Sequence, residues 1–130
     1  MYRVFLVEDS QLVRERLTAF LQTIEGVDPV GSAATARDAE QAILASRPDA
    51  VLLDIKLAQG SGFDVLRSLR ASAPEIDVYM FSNFAAPPYR QLAASLGARG
   101  FFDKTTEIDT LRRTMAERAE QSPQSMQSMQ

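Results

Sequence analysis

The chain has 130 residues and a formal net charge of −3, and it contains neither cysteine nor histidine. The length fits one domain, and the two missing residue types exclude disulfides, thiolate chemistry, His-ligated zinc and a Ser-His-Asp triad. No apolar stretch approaches the ~18 residues of a membrane span, the N-terminus lacks a secretory pattern, and the basic residues are scattered; we therefore expect a cytoplasmic protein that binds neither membranes nor nucleic acids directly.

Apolar runs typical of strands alternate five times with helical periodicity, which predicts an α/β fold with a parallel sheet covered on both faces. The predicted strands are 4–7, 30–33, 50–53, 78–81 and 100–102. Pro29 places the second of them at an edge of the sheet, because proline cannot donate a hydrogen bond to a neighbouring strand.

The predicted helices lie at about 13–24, 36–44, 65–69, 89–96 and 108–119. Gly26 is predicted to end the first helix and Gly97 the fourth. The spacing of four residues predicts the buried face of the fourth helix: Tyr89, Leu92, Ala93 and Leu96.

The last ten residues, 121–130, are rich in Gln, Ser and Met and poor in large apolar side chains. Such a segment buries too little apolar surface to offset the entropy of ordering. We therefore expect one domain over residues 1–120 and a disordered tail over 121–130.

Three carboxylates follow two of the predicted strands: Glu8 and Asp9 after the first, and Asp54 after the third. Parallel strands bring their carboxyl ends to one crevice, where open α/β sheets bind ligands. Two carboxylates at ~4 Å repel by roughly 4 kcal/mol near a protein surface, so the cluster calls for a cation, and a divalent metal is the simplest. The alternative is that the acids only cap helices, with Asp9 or Ser10 at the start of the first helix.

Two further polar residues follow predicted strands, Ser82 after the fourth and Lys104 after the fifth. Together with the acids they form a set suited to phosphoryl chemistry, in which Lys104 offers positive charge and Ser82 a hydroxyl. Asp54 stands alone after a central strand and is the best candidate nucleophile. The nearby Gly60-Ser61-Gly62 segment is interpreted as a turn with an N-cap rather than a phosphate cradle.

Four stretches together resemble the receiver domain of two-component response regulators. They are VFLVEDS, VLLDIKLAQGSG, MFSN and GARGFFDK, in this order and each at the end of a predicted strand. The resemblance covers residues 2 to about 120 and implies a flavodoxin-like (βα)5 three-layer sandwich with strand order 2-1-3-4-5. It points to a single-domain member similar to the chemotaxis regulators.

The resemblance implies that Asp54 is the phosphoacceptor, which takes a phosphoryl group from a histidine kinase or a histidine phosphotransfer protein. It further implies a Mg²⁺ ion held by Asp9, Asp54 and the backbone carbonyl of Lys56, with Glu8 assisting through water. The chain would then be a signalling protein rather than an enzyme, with self-catalysed phosphorylation and dephosphorylation at most.

By the same resemblance, Ser82 and Lys104 contact the phosphoryl oxygens, and Ser82 and Phe101 act as switch residues. Output is then expected through contact with a downstream protein whose identity the sequence does not give. The stretch from residue 81 to 104 is also similar to receivers that carry a DNA-binding domain, so the chain is either a single-domain regulator or separated from such a domain.

Two other functions remain open at this point. A small phosphotransferase or phosphatase could use Asp54 as its nucleophile, but a second acid-base carboxylate is not evident once Glu8 and Asp9 bind metal. A flavin-binding carrier could share the fold, but the acidic turn after the first strand would repel a flavin phosphate.

Overall fold

Five strands and five helices alternate along residues 1–122, the part of the chain that the computed structural model describes. The strands are β1 (Tyr2–Val7), β2 (Val27–Ala33), β3 (Ala50–Leu53), β4 (Asp77–Ser82) and β5 (Gly100–Asp103). The helices are α1 (Gln11–Gln22), α2 (Ala36–Ser46), α3 (Gly62–Ser72), α4 (Pro87–Ser95) and α5 (Ile108–Glu120). None of these helices has the length and apolar character that a membrane crossing requires.

The strands form one parallel sheet in the order β2-β1-β3-β4-β5, which confirms the expected flavodoxin-like topology. Pro29 lies in the edge strand β2, as predicted, and the β1–β2 register shifts close to it. Two register pairs position the site: Val7 lies beside Leu53, and Ser82 beside Asp103. The residues that follow these strands therefore meet at one edge of the sheet.

Each face of the sheet packs on its own layer of helices, because successive strand residues point to opposite sides. On one side Val7 and Val51 pack with α2, α3 and α4; on the other, Leu6 and Leu52 pack with α1 and α5. This double coverage explains why β1, β3 and β4 read as continuous apolar runs.

Several predicted element bounds differ from the structure. Strands β1, β2, β4 and β5 are longer than predicted, so Ser82 is the last residue of β4 rather than the residue after it. Helix α1 ends at Gln22 with Thr23 as its C-cap, and Gly26 lies in the following turn, at φ 84°. The prediction that Gly26 ends α1 was therefore wrong, whereas Gly97, at φ 94°, directly follows the C-cap of α4.

The predicted buried face of α4 is only partly correct. Ala93 is buried and Leu96 packs against the core, but Tyr89 and Leu92 are 39% and 38% exposed. The Tyr89 ring packs instead on Phe84, with their ring centroids 5.8 Å apart. Helical periodicity identified the helix but placed these two side chains on the wrong side.

The predicted tail falls mostly on residues 123–130, which lie outside the described residues, so its disorder stays a prediction. Its first residue, Gln121, is the C-cap of α5, and Ser122 is buried. The described structure thus extends two residues past the predicted boundary.

Candidate functional site

The three predicted carboxylates lie together at the carboxyl edge of the sheet. Glu8, Asp9 and Asp54 each contribute an oxygen to a group whose atoms all lie within 4.8 Å of one another. Glu8 and Asp54 are buried, whereas Asp9 is exposed. Hard oxygen ligands at this spacing suit a divalent cation such as Mg²⁺.

Lys104 joins the two buried carboxylates. Its Nζ donates to Glu8 Oε1 and to Asp54 Oδ2, each at 2.6 Å. The other oxygens of these carboxylates accept from backbone amides: Glu8 Oε2 from Asp9 N at 2.8 Å, and Asp54 Oδ1 from Ile55 N at 2.7 Å. Every oxygen of the two buried carboxylates is therefore hydrogen-bonded, which offsets the cost of burying charge.

The ionisation of this group reflects its burial and its charges. Burial raises the pKa of Glu8 above its usual value; Lys104 opposes this shift and the Asp54 charge adds to it. Burial lowers the pKa of Lys104, but its hydrogen bonds to Asp54 and Glu8 outweigh burial, so that the net shift is upward. Lys104 is thus held as an ammonium beside the candidate nucleophile.

These residues line an open cleft of about 280 Å³. The residues around it are Glu8, Asp9, Ser10, Val13, Asp54, Lys56, Asn83, Phe84 and Lys104. Five of the seven site residues predicted from the sequence therefore meet in one place.

The other two, Ser82 and Phe101, are not among the described residues that line the cleft. Ser82 is completely buried, and its hydroxyl accepts a hydrogen bond from Phe84 N at 3.1 Å. Its carbonyl accepts from Lys104 N at 3.2 Å, so the two residues are adjacent through the backbone. Phe101 lies half-buried on β5, beside Met80 of β4.

Two predictions about local structure are resolved by the capping hydrogen bonds. Ser10, not Asp9, caps α1, since its hydroxyl accepts from Val13 N at 3.3 Å. Ser61 caps α3 by accepting from Phe63 N at 3.1 Å, which confirms the turn and N-cap interpretation of its segment. The exposed Asp9 carboxylate is therefore left available to a ligand.

Two residues support the site in roles that the sequence analysis did not predict. Arg14, on α1, donates to the carbonyls of Glu8 at 2.8 Å and Asp9 at 3.1 Å, and so fixes the turn that carries the acids. Gly62 approaches the backbone of Asp54 so closely that an added Cβ would lie 2.0 Å from the Asp54 carbonyl oxygen. A single arginine in sequence gives no signal for the role of Arg14, and the turn prediction for Gly60-Ser61-Gly62 did not include the close approach of Gly62 to Asp54.

The model of the response regulator receiver domain matches residues 4–116 of the chain. The chain belongs to this family. It is a receiver domain of two-component response regulators, as the resemblance implied, and the phosphatase and flavin-carrier alternatives receive no support.

Similar proteins agree with this assignment. The receiver domain is 32% identical to the uncharacterized transcriptional regulatory protein YvfU of Bacillus subtilis and 31% identical to the response regulator GacA of Pseudomonas aeruginosa, over 85% of this chain in both cases. The alignments cover 56% and 52% of those proteins, so the chain spans about half the length of the curated relatives it matches.

A solved structure shows the same fold. The beryllofluoride-activated N-terminal receiver domain of Klebsiella pneumoniae RstA superposes with a TM-score of 0.81 at 26% identity, over 90% of this chain and 97% of that one.

Proposed function

We propose that this receiver domain accepts a phosphoryl group on Asp54, with Mg²⁺ as cofactor, and signals by contact with another protein. The observation that carries the proposal is the arrangement of Lys104, Glu8 and Asp54, in which one ammonium bridges two buried carboxylates beside an exposed third. A fixed cation and a cluster of oxygen ligands around one carboxylate are the parts that phosphoryl transfer needs.

The metal would be held by Asp9, Asp54 and the backbone carbonyl of Lys56, with Glu8 assisting through water. The close grouping of three carboxylate oxygens around one Lys104 ammonium supports this assignment, because it leaves a surplus of negative charge. When bound, Mg²⁺ supplies positive charge to the phosphoryl oxygens.

In the transfer, a carboxylate oxygen of Asp54 bonds to phosphorus while the bond from phosphorus to the donor's leaving group breaks, and the leaving group keeps the electron pair. Lys104 already contacts Asp54 Oδ2, so its ammonium can shift to a phosphoryl oxygen without leaving the cleft. Burial of both side chains strengthens this electrostatic contact.

The donor is proposed to be a histidine kinase or a histidine phosphotransfer protein, and the output a change at Ser82 and Phe101. Ser82 is completely buried and does not line the cleft, so its side chain would have to move to donate its hydroxyl proton to a phosphoryl oxygen, and the bond it accepts from Phe84 N couples that movement to the following loop. The half-buried position of Phe101 on the neighbouring strand β5 supports the proposal that it passes such a movement to the surface.

Incubation with acetyl phosphate and Mg²⁺ tests the proposal. We expect intact-protein mass spectrometry to show one added phosphoryl group on the wild type and none on Asp54→Asn. Asp64→Asn is the matched control, because Asp64 is an exposed aspartate on α3, paired with Arg67; this variant should be phosphorylated like the wild type.

An adduct that persists in Asp54→Asn would contradict the assignment of the phosphoacceptor. A wild type that turns over acetyl phosphate continuously, at enzymatic rates and without accumulating an adduct, would instead favour the phosphatase alternative.

A further inference from the structure

Arg90, on α4, connects three segments that surround the switch residues. Its Nε donates to the carbonyl of Ala85 at 2.8 Å, in the loop that follows Ser82. A second guanidinium nitrogen lies 3.4 Å from the carbonyl of Phe101, and the guanidinium carbon lies 5.0 Å from the centroid of the Phe101 ring. The Arg90 side chain therefore contacts both the loop of residues 83–86, which follows Ser82, and Phe101.

The third contact of Arg90 is an ion pair with Glu107, the residue before α5. The same Glu107 oxygen accepts from the backbone N–H of Asp103 at 3.0 Å, directly before Lys104. Hydrogen bonds from Arg90 and from the Asp103 amide lower the pKa of Glu107, which keeps it ionised. The ion pair thus ties α4 to the segment that carries the phosphoryl-binding lysine.

The position of Ser82 indicates which segment the contacts of Arg90 hold in place. Ser82 is completely buried and is not among the described residues that line the cleft, and its hydroxyl oxygen accepts from Phe84 N, directly before Ala85. The hydroxyl proton can still be donated, but Ser82 has to move into the cleft to reach a phosphoryl group, and the loop of residues 83–86 then moves with it or loses the bond from Phe84 N. The Ala85 carbonyl, held by Arg90, moves with it or loses its hydrogen bond.

We infer that Arg90 is a positioning residue that, through its ion pair with Glu107, holds the 83–86 loop where Ser82 is kept out of the cleft. We name the set of Arg90, Glu107, the Ala85 carbonyl and Phe101 the Arg90 latch. The inference rests on the proposed function. A phosphoryl group that recruits Ser82 works against the latch, so weakening the latch shifts the population toward the state that binds phosphoryl groups.

Beryllofluoride, a phosphoryl mimic, provides the test, with its binding followed by fluorine NMR titration at saturating Mg²⁺. Glu107→Gln keeps the side-chain shape and removes the charge, whereas Arg90→Lys keeps the charge and removes the planar fork that spans Ala85 and Glu107. We expect each to lower the beryllofluoride Kd about two- to five-fold, since half-exposed ion pairs contribute modestly. Glu75→Gln is the control, because it disrupts the exposed Arg47–Glu75 pair, which does not involve the latch; its Kd should equal that of the wild type.

A purely structural role for Arg90 would leave the Kd unchanged or raise it, and either result in Glu107→Gln or Arg90→Lys overturns the inference. The Ser82→Ala background adds a second criterion. If the latch acts through Ser82, Glu107→Gln should no longer tighten binding in that background, and an undiminished effect there refutes the coupling. A wild type that binds no beryllofluoride would refute the proposed function and the latch together, whereas normal wild-type binding with unresponsive variants refutes the latch alone.

Discussion

The amino edge of the sheet, where its strands begin, and the carboxyl edge, where they end, both carry partly or wholly buried carboxylates. The neighbouring groups that compensate these negative charges differ between the two edges. At the amino edge, Asp77 begins β4 and accepts from the Tyr2 hydroxyl at 2.7 Å, Arg118 at 3.0 Å and Arg99 at 3.4 Å. One carboxylate there is surrounded by two guanidinium groups and a phenol. Burial raises the pKa of Tyr2, so its hydroxyl stays a neutral donor.

At the carboxyl edge, Glu8, Asp9 and Asp54 lie together, and Lys104 forms ion pairs with two of them, Glu8 and Asp54. At the amino edge two guanidinium groups surround the Asp77 carboxylate, whereas at the carboxyl edge three carboxylates lie close together, an arrangement that favours binding of an added cation. Buried carboxylates thus occur at both edges, and the close grouping of three of them at the carboxyl edge is what supports the proposed Mg²⁺ site there.

The largest expected effect comes from Lys104→Met in Mg²⁺-free buffer. The substitution leaves Glu8 and Asp54 buried without their cation, and we expect the free energy of unfolding to fall by about 2–4 kcal/mol. Mg²⁺ should restore more stability to this variant than to the wild type, because the ion replaces the lost charge. Urea denaturation with and without Mg²⁺ measures both quantities.

Arg118→Met is the amino-edge counterpart, and its stability loss should not respond to Mg²⁺. An equal Mg²⁺-dependent gain in the Lys104→Met and Arg118→Met variants would erase the distinction between the two edges.

Asp77→Asn should lower the free energy of unfolding by about 2 kcal/mol, because it weakens charge-assisted hydrogen bonds from Arg118 and Arg99. The loss should be the same with and without Mg²⁺, and phosphorylation by acetyl phosphate should persist. Thermal unfolding is the measurement, with the exposed Asp64→Asn as a control expected within about 0.5 kcal/mol of wild type. A loss of Mg²⁺ binding in Asp77→Asn would show that the amino edge serves the site.

A smaller effect is expected from Asp9→Asn. At a Mg²⁺ concentration ten times its Kd, the wild type should gain about 1.4 kcal/mol of stability through linkage, and the variant should lose most of this gain. In Mg²⁺-free buffer the variant should be slightly more stable, because a repelling charge is removed.

Asp38→Asn is the control for Asp9→Asn, since Asp38 is an exposed aspartate in the first turn of α2. If the melting temperature of the wild type does not change when Mg²⁺ is added, the proposed metal site is refuted.

The smallest effect is a pH dependence at Glu8. Its pKa is raised in the folded protein, so its contribution to stability is fully present below the ordinary glutamate pKa and is lost as pH rises through the raised value. In Mg²⁺-free buffer, the stability of wild type relative to Glu8→Gln should therefore decline from acidic to neutral pH. Urea unfolding at a series of pH values measures the two stabilities. A wild type that becomes more stable relative to Glu8→Gln as pH rises would contradict the raised pKa.

Much of the fold could be predicted because its signals are local. The strand 50–53 was predicted with the bounds it has, and Asp54 and Lys104 lie after β3 and β5 as predicted. Periodicity was less reliable at α4, where Tyr89 and Leu92 have the spacing expected of a buried helix face but are exposed. Spacing describes one helix, whereas burial depends on where the sheet and its neighbouring helices end.

The sequence by itself determined the alternation of strands and helices and the residues that follow each strand, because apolar periodicity and chain order are local properties of the sequence. The tertiary structure decided which of those residues touch. Lys104 reaches Glu8 and Asp54 across 96 and 50 residues of chain, whereas Ser82 is completely buried and its hydroxyl accepts from Phe84 N. Contacts of this kind depend on strand order, register and close backbone approach, none of which a local pattern records.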